Sequence, residues 1–139
     1  MTTETKTPIT QADLAQFYGT EHYYLHQPLP FAPNSILLTD GIKYLAEKVE
    51  CYWLLDLICS YLHKIPNDEY MFFVDITKLD YNQGEIVLHD GDKGGGWVTY
   101  ATQVLEYMDW PSTLYNQRIY FGLSGSKQAK WTACLPSEY

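Results

Sequence analysis

The stretch Thr39 to His63, TDGIKYLAEKVECYWLLDLICSYLH, constrains this chain most, because it is the longest run with a helical apolar period. Thr39 is an N-cap residue, and Asp40 places negative charge in the first turn, where it suits the helix dipole. At about 100° per residue, Ile42, Leu45, Val49, Trp53 and Ser60 share one stripe. The opposite face begins as Lys43, Glu47, Lys48 and Glu50, then becomes Leu54, Leu55, Ile58, Tyr61 and Leu62. A helix apolar all round is covered all round. Residues 51–62 are therefore expected to be enclosed by a sheet and by a second cover: the N-terminal segment, Tyr139 or another copy of the chain. The apolar run is too short for a bilayer and carries Asp56, so a membrane span is excluded. The helix is predicted to end near Ile65-Pro66. Asp56 falls on or near the buried stripe, where a carboxylate needs hydrogen-bond donors; a structural acid is the expected role.

At 139 residues the chain is long enough for one domain with a real core. We expect residues 1–9 to be a flexible N-terminus and 10–139 a single domain. Thr10 and Asp13 open a short helix that Gly19 ends. Pro28, Pro30 and Pro33 impose an extended connector. After Pro66 the period changes to two: Tyr70, Phe72, Val74 and Ile76 alternate with Met71, Phe73, Asp75 and Thr77. Strands are predicted from Tyr70, over Glu85–His89, Trp97–Tyr107 and Gln117–Leu123, and over Ala129–Leu135. Short turns make such strands antiparallel neighbours. The expected fold is α+β, with a long central helix and a short N-terminal helix packed on one face of a five-stranded antiparallel meander.

With 17 acidic and 9 basic side chains, the net charge is −8. That balance argues against direct nucleic-acid binding, which uses Lys and Arg to displace counterions. Met1–Thr10 has no apolar signal core, and three cysteines without a CxxC pair are expected to be reduced thiols in the cytoplasm. Thirteen tyrosines and four tryptophans exceed what one small core buries. Tyrosine is enriched at interfaces, so Trp97, Tyr100, Tyr107, Trp110 and Tyr139 are candidates for a partner surface.

Four stretches stand together: Phe17-Tyr-Gly-Thr-Glu21, Leu38-Thr-Asp-Gly-Ile-Lys-Tyr-Leu45, Tyr52-Trp-Leu-Leu-Asp-Leu-Ile-Cys-Ser60 and Leu135-Pro-Ser-Glu-Tyr139. In these the chain resembles a bacterial domain family of unknown function, whose members are small single-domain proteins of bacteria, plasmids and phages. Met108-Asp-Trp-Pro111 stands where that family's usual element reads TDFP. The resemblance implies no catalytic residue, and its mobile-element company tilts toward accessory or counter-defence roles.

Several constellations carry possible chemistry. His22 and His26 are spaced i, i+4, as metal ligands on a helix are, but the neighbouring prolines favour an extended path. Glu85, His89, Asp90 and Asp92 offer oxygens for calcium, without the spacing of a helix-flanked loop. Lys93-Gly-Gly-Gly96 lacks phosphate-loop order. Cys59, Ser60, Asp56 and His63 share a helix face, though with the histidine on the wrong side for a triad. Ser137-Glu138-Tyr139 is the exposed candidate at the C-terminus. No cofactor is implied. The first reading is a small acidic protein-interaction or regulatory module. The second is a hydrolase or nucleotide-processing enzyme gathering Glu21, His22, Asp56 and His63. The third is a structural protein self-associating as a homodimer through the apolar half of the 40–63 helix.

Overall fold

A computed structural model of the protein describes residues 9–28, 35–91 and 96–139. The polar start, the proline connector from Leu29 and the Asp92–Gly95 loop, on which expectations fell, lie outside those residues. Thr10 caps α1 (Gln11–Ala15) in a reciprocal box with Asp13, as predicted. Thr39 caps α2 (Asp40–Val49), and α3 follows over Tyr52–Ser60.

The long central helix is thus two helices. Glu50 takes left-handed backbone angles (φ 56°, ψ 48°), which end α2 and restart the chain in a new phase. That phase change corrects the continuous stripe. Ile42, Leu45 and Ala46 of α2 and Leu54, Leu55, Ile58 and Cys59 of α3 face the core, while Asp56 and Ser60 turn outward. Of the apolar half, Leu54, Leu55, Ile58 and Cys59 are buried, while Tyr52 is exposed and Trp53, Leu57, Tyr61 and Leu62 are partly buried. No described helix is long and apolar enough to cross a membrane.

The five-stranded antiparallel meander is also overturned. The described residues form one seven-stranded mixed sheet, largely β, with three short helices. The strands are β1 (Tyr24–His26), β2 (Ile36–Leu38), β3 (Met71–Lys78), β4 (Gly84–His89), β5 (Thr99–Leu105), β6 (Asn116–Leu123) and β7 (Trp131–Cys134). Their order is β1-β2-β7-β6-β3-β4-β5. Two three-residue stretches for which no strand was predicted, Tyr24–His26 and Ile36–Leu38, are strands, and β2 pairs parallel with β7. Residues 106–115 return past β3 instead of turning back along β5, so β6 lies beside β3. Burial drives that route: Met108, Trp110 and Leu114 on this connection are all buried. Trp110 is at most 2% exposed and its indole N–H donates to Leu114 O, so it belongs to the core and not to a partner surface.

The predicted alternation holds where it was strongest. Phe72, Val74 and Ile76 of β3, Ile86 and Leu88 of β4, Ile119 and Phe121 of β6, and Trp131 and Ala133 of β7 point to the helices and are buried. The two buried rings Phe72 and Phe121 stack at 4.7 Å. Tyr70, expected on the same face, precedes β3 and is 64% exposed.

Candidate functional site

Because side chains alternate along a strand, the residues between the core positions share the sheet face that carries no helix. Register sets them in rows. His89, Phe73, Tyr120 and Cys134 cross β4, β3, β6 and β7 in one row, and Asp75 faces Arg118 in the next.

Asp75 joins three strands. Arg118 donates from Nε to Oδ1 at 2.7 Å and from its terminal nitrogen to Oδ2 at 3.0 Å, and His89 Nε2 lies 2.8 Å from Oδ2. Gly91 N–H donates to His89 Nδ1 at 3.1 Å, which leaves Nε2 as the nitrogen that carries the proton toward Asp75. Trp97 stacks on the His89 ring at 4.0 Å, and the Arg118 guanidinium lies over both Phe73 and Trp97. The His89 side chain has no exposed surface. Burial pushes the Asp75 carboxyl up, but the bonds and charges of Arg118 and His89 together hold it below the usual range. At Gly91 (φ +81°) a Cβ would fall 2.0 Å from Phe73, so the turn beneath Trp97 requires glycine.

Beside this cluster a groove of about 340 Å³ opens on the same face, between Tyr23, Leu37, Leu123 and Tyr139, with Gly122 on its floor. Tyr139 lies edge-on to Tyr120 at 5.3 Å and forms one wall. The rim is built where three of the singled-out stretches meet, at the N-terminus of α2. Glu138 accepts from the Thr39 hydroxyl (2.6 Å), Gly41 N–H (3.0 Å) and Leu135 N–H (2.9 Å). Thr20 Oγ1 accepts from Asp40 N–H, while Asp40 accepts from Glu21 N–H and the Tyr24 hydroxyl. The Glu21 bond leads in holding the Asp40 carboxyl below its ordinary range against burial, with Tyr24, Thr20 and the His22 charge adding to it. The helix end therefore already holds the protein's own carboxylate.

The candidate acids and histidines separate. Asp56 is half-exposed and pairs with His26 at 2.7 Å, whose ring stacks on Tyr52. His22 lies 3.9 Å from Asp40 instead, and Glu21 enters through its backbone. His63 stands apart in a 3-10 turn, lining a hollow with Asn67 and Lys130. His22 and His26 thus have different partners, and among the described residues no group of three His, Cys, Asp or Glu is placed to hold a metal ion. Asp90 is buried and bonded through Oδ1 to Val98 N–H. Tyr100 is bonded to Glu69, while Trp97, Tyr107 and Tyr139 are exposed. Asp75 and Arg118 were missed: each reads in sequence as an ordinary outward residue of a strand, and only register joins them.

Burial pushes all three thiols, Cys51, Cys59 and Cys134, up to about 12. At pH 8 none is expected to react with a thiol reagent in the native state, whereas all three should react after denaturation; rapid native labelling of any one would contradict this.

No curated protein and no solved structure matches the chain. The family model of a domain of unknown function, DUF6876, does match, over residues 8–139, nearly the whole length. The chain belongs to the DUF6876 family.

Proposed function

We propose that this protein is a protein-interaction module that receives a segment of its partner in the groove behind Tyr139. One observation carries the reading. The groove's acid and its strongest hydroxyls are already bonded within the protein, while its aromatic and apolar walls remain open. Glu138 is spent on the α2 N-terminus, Ser124 on Ala129, and the Cys134 thiol is far from ionising. What is left is tyrosine and leucine surface over a glycine floor, the composition that suits contact rather than bond breaking. An accessory or regulatory role, including counter-defence, is the form such binding would take. A hydrolase reading has less to rest on, since Glu21, His22, Asp56 and His63 do not share one pocket.

Gly122 supplies the test. A Cβ there meets nothing within 4 Å, so Gly122→Leu brings a side chain into the groove with no clash at its Cβ. Its stability is expected to stay within about 1 kcal/mol of wild type. A photo-crosslinking residue at position 139 should capture the partner in expressing cells, one at Tyr81 (94% exposed, outside the groove) should not, and Gly122→Leu should abolish the capture. Undiminished capture by the filled variant would remove the groove from the function.

A further inference from the structure

Where α3 runs out and β7 begins, a hollow of about 170 Å³ opens on the helix side of the sheet. Leu62, Ile65 and Trp131 give it an apolar base, and the exposed residues His63, Asn67 and Lys130 form its rim. It shares no lining residue with the groove behind Tyr139. Local structure assembles the rim. Pro66 stops the helical path after the 3-10 turn Leu62–Lys64, and Glu69 N–H donates to Pro66 O at 3.0 Å, closing a tight turn that presents Asn67. Asn67 O accepts from Lys130 Nζ at 3.3 Å, and that ammonium lies over the Trp131 ring, 5.4 Å from its centre.

The charge here reverses that of the whole chain. With 17 acids for 9 bases, each base is expected to find an acid. Yet no carboxylate lines this hollow, and among the described residues neither Lys130 nor His63 has an acid partner. Asp68 follows Asn67 in the chain but is absent from the lining, and its charge acts on Tyr100. More distant acids are screened over about 8 Å at physiological salt. Lys130 is held in place by a carbonyl and keeps two of its three ammonium donors. The His63 side chain makes no hydrogen bond or ring contact among the described residues, so its ring is free to turn inward.

We propose that this hollow binds a phosphate group, free or as the monoester of a small molecule. His63, the Asn67 amide and Lys130 come from three separate segments and approach from different directions, which suits the oxygens of a tetrahedral anion. A carboxylate, with two coplanar oxygens, is matched best by the planar fork of an arginine, and no arginine is present here. The apolar base keeps water from behind the anion and so strengthens the pull of the ammonium. The volume is well below the roughly 300 Å³ at which pockets begin to take drug-sized ligands, so the group carrying the phosphate is small. This site is independent of the groove behind Tyr139, and either can fail alone.

The test uses the purified protein and three sodium salts, inorganic phosphate, methyl phosphate and acetate, at fixed pH and ionic strength. Binding is followed by NMR at the Trp131 indole N–H and the His63 ring Cε1–H. Inorganic phosphate or methyl phosphate should shift both signals along a saturating curve, and the tighter of the two identifies the free or the esterified form as the ligand. Acetate should bind at least about tenfold more weakly. Lys130→Met keeps the stem and should weaken phosphate binding at least about tenfold; His63→Asn, read at Trp131, should weaken it about threefold. Both side chains are exposed, so both variants should fold. Lys127→Met, outside the lining, and Gly122→Leu should bind as wild type does. Acetate binding as tightly as the phosphates, a response that never saturates, or an unchanged curve for Lys130→Met would overturn the proposal. An unchanged curve for His63→Asn would remove His63 from the site.

Discussion

Glu138→Ala is expected to lower the unfolding free energy by about 3 kcal/mol, the loss of several charge-assisted bonds at a helix N-terminus. The carboxylate joins two elements through three bonds: Thr39 and Gly41 at the start of α2, and Leu135 just after β7. Its removal leaves two backbone N–H groups without their acceptor. Glu138→Gln keeps one acceptor oxygen and should lose roughly half as much. Gly41 reports on the same junction. A Cβ at Gly41 would fall 2.5 Å from Glu138 Oε1 and 2.6 Å from Leu135 Cδ1. Gly41→Ala should therefore destabilise despite alanine's better helix propensity. In the Glu138→Ala background part of that clash is gone, so the two losses should fall short of additivity by about 1 kcal/mol. Urea unfolding of the four proteins measures the cycle. A Glu138→Ala variant within about 0.5 kcal/mol of wild type would show that the junction closes without the carboxylate.

Asp75→Asn is expected to cost about 2–3 kcal/mol, at the low end for breaking a buried ion pair because Arg118 remains partly solvated. Asparagine keeps one acceptor oxygen for three N–H donors, and its amide turns a fourth donor toward them. His89 cannot relieve the conflict by moving its proton, since Nδ1 is already the acceptor for Gly91 N–H. The consequence should spread to Trp97, which rests on the His89 ring. The pH dependence carries a sign. The folded carboxyl is held below its unfolded value of about 4, so its stabilisation is complete above that pH and is lost as pH falls through the folded value. Urea melts between neutral pH and pH 3 should show wild-type stability falling more steeply below about pH 4 than that of Asp75→Asn. Parallel curves would mean that Asp75 titrates alike in both states.

Much of the local structure was legible because it depends on neighbours in the chain. Thr10 with Asp13 and Thr39 with Asp40 mark helix starts through contacts three residues long. The alternation Phe72-Val74-Ile76 marks a strand because one face is buried. The left-handed residue at Glu50 was not legible, since a glutamate gives no warning of the conformation usually left to glycine. That single residue moved Asp56 from an expected buried stripe to the surface. The three-residue strands Tyr24–His26 and Ile36–Leu38 are too short to show a period.

The amino-acid order by itself determined the longer strands, the capped starts of α1 and α2, the excess of negative charge and the alternation that buries one face of β3. Only the tertiary structure decided which strands are neighbours, and therefore which outward residues form a site. Asp75 and Arg118 are 43 residues apart in the chain, and Gly41 and Glu138 are 97 apart. Each of these residues is unremarkable within its own segment. Their bonds exist because burial of Met108, Trp110 and Leu114 carries β6 to the far side of β3, and because β7 returns parallel to β2 so that the C-terminal turn meets the start of α2.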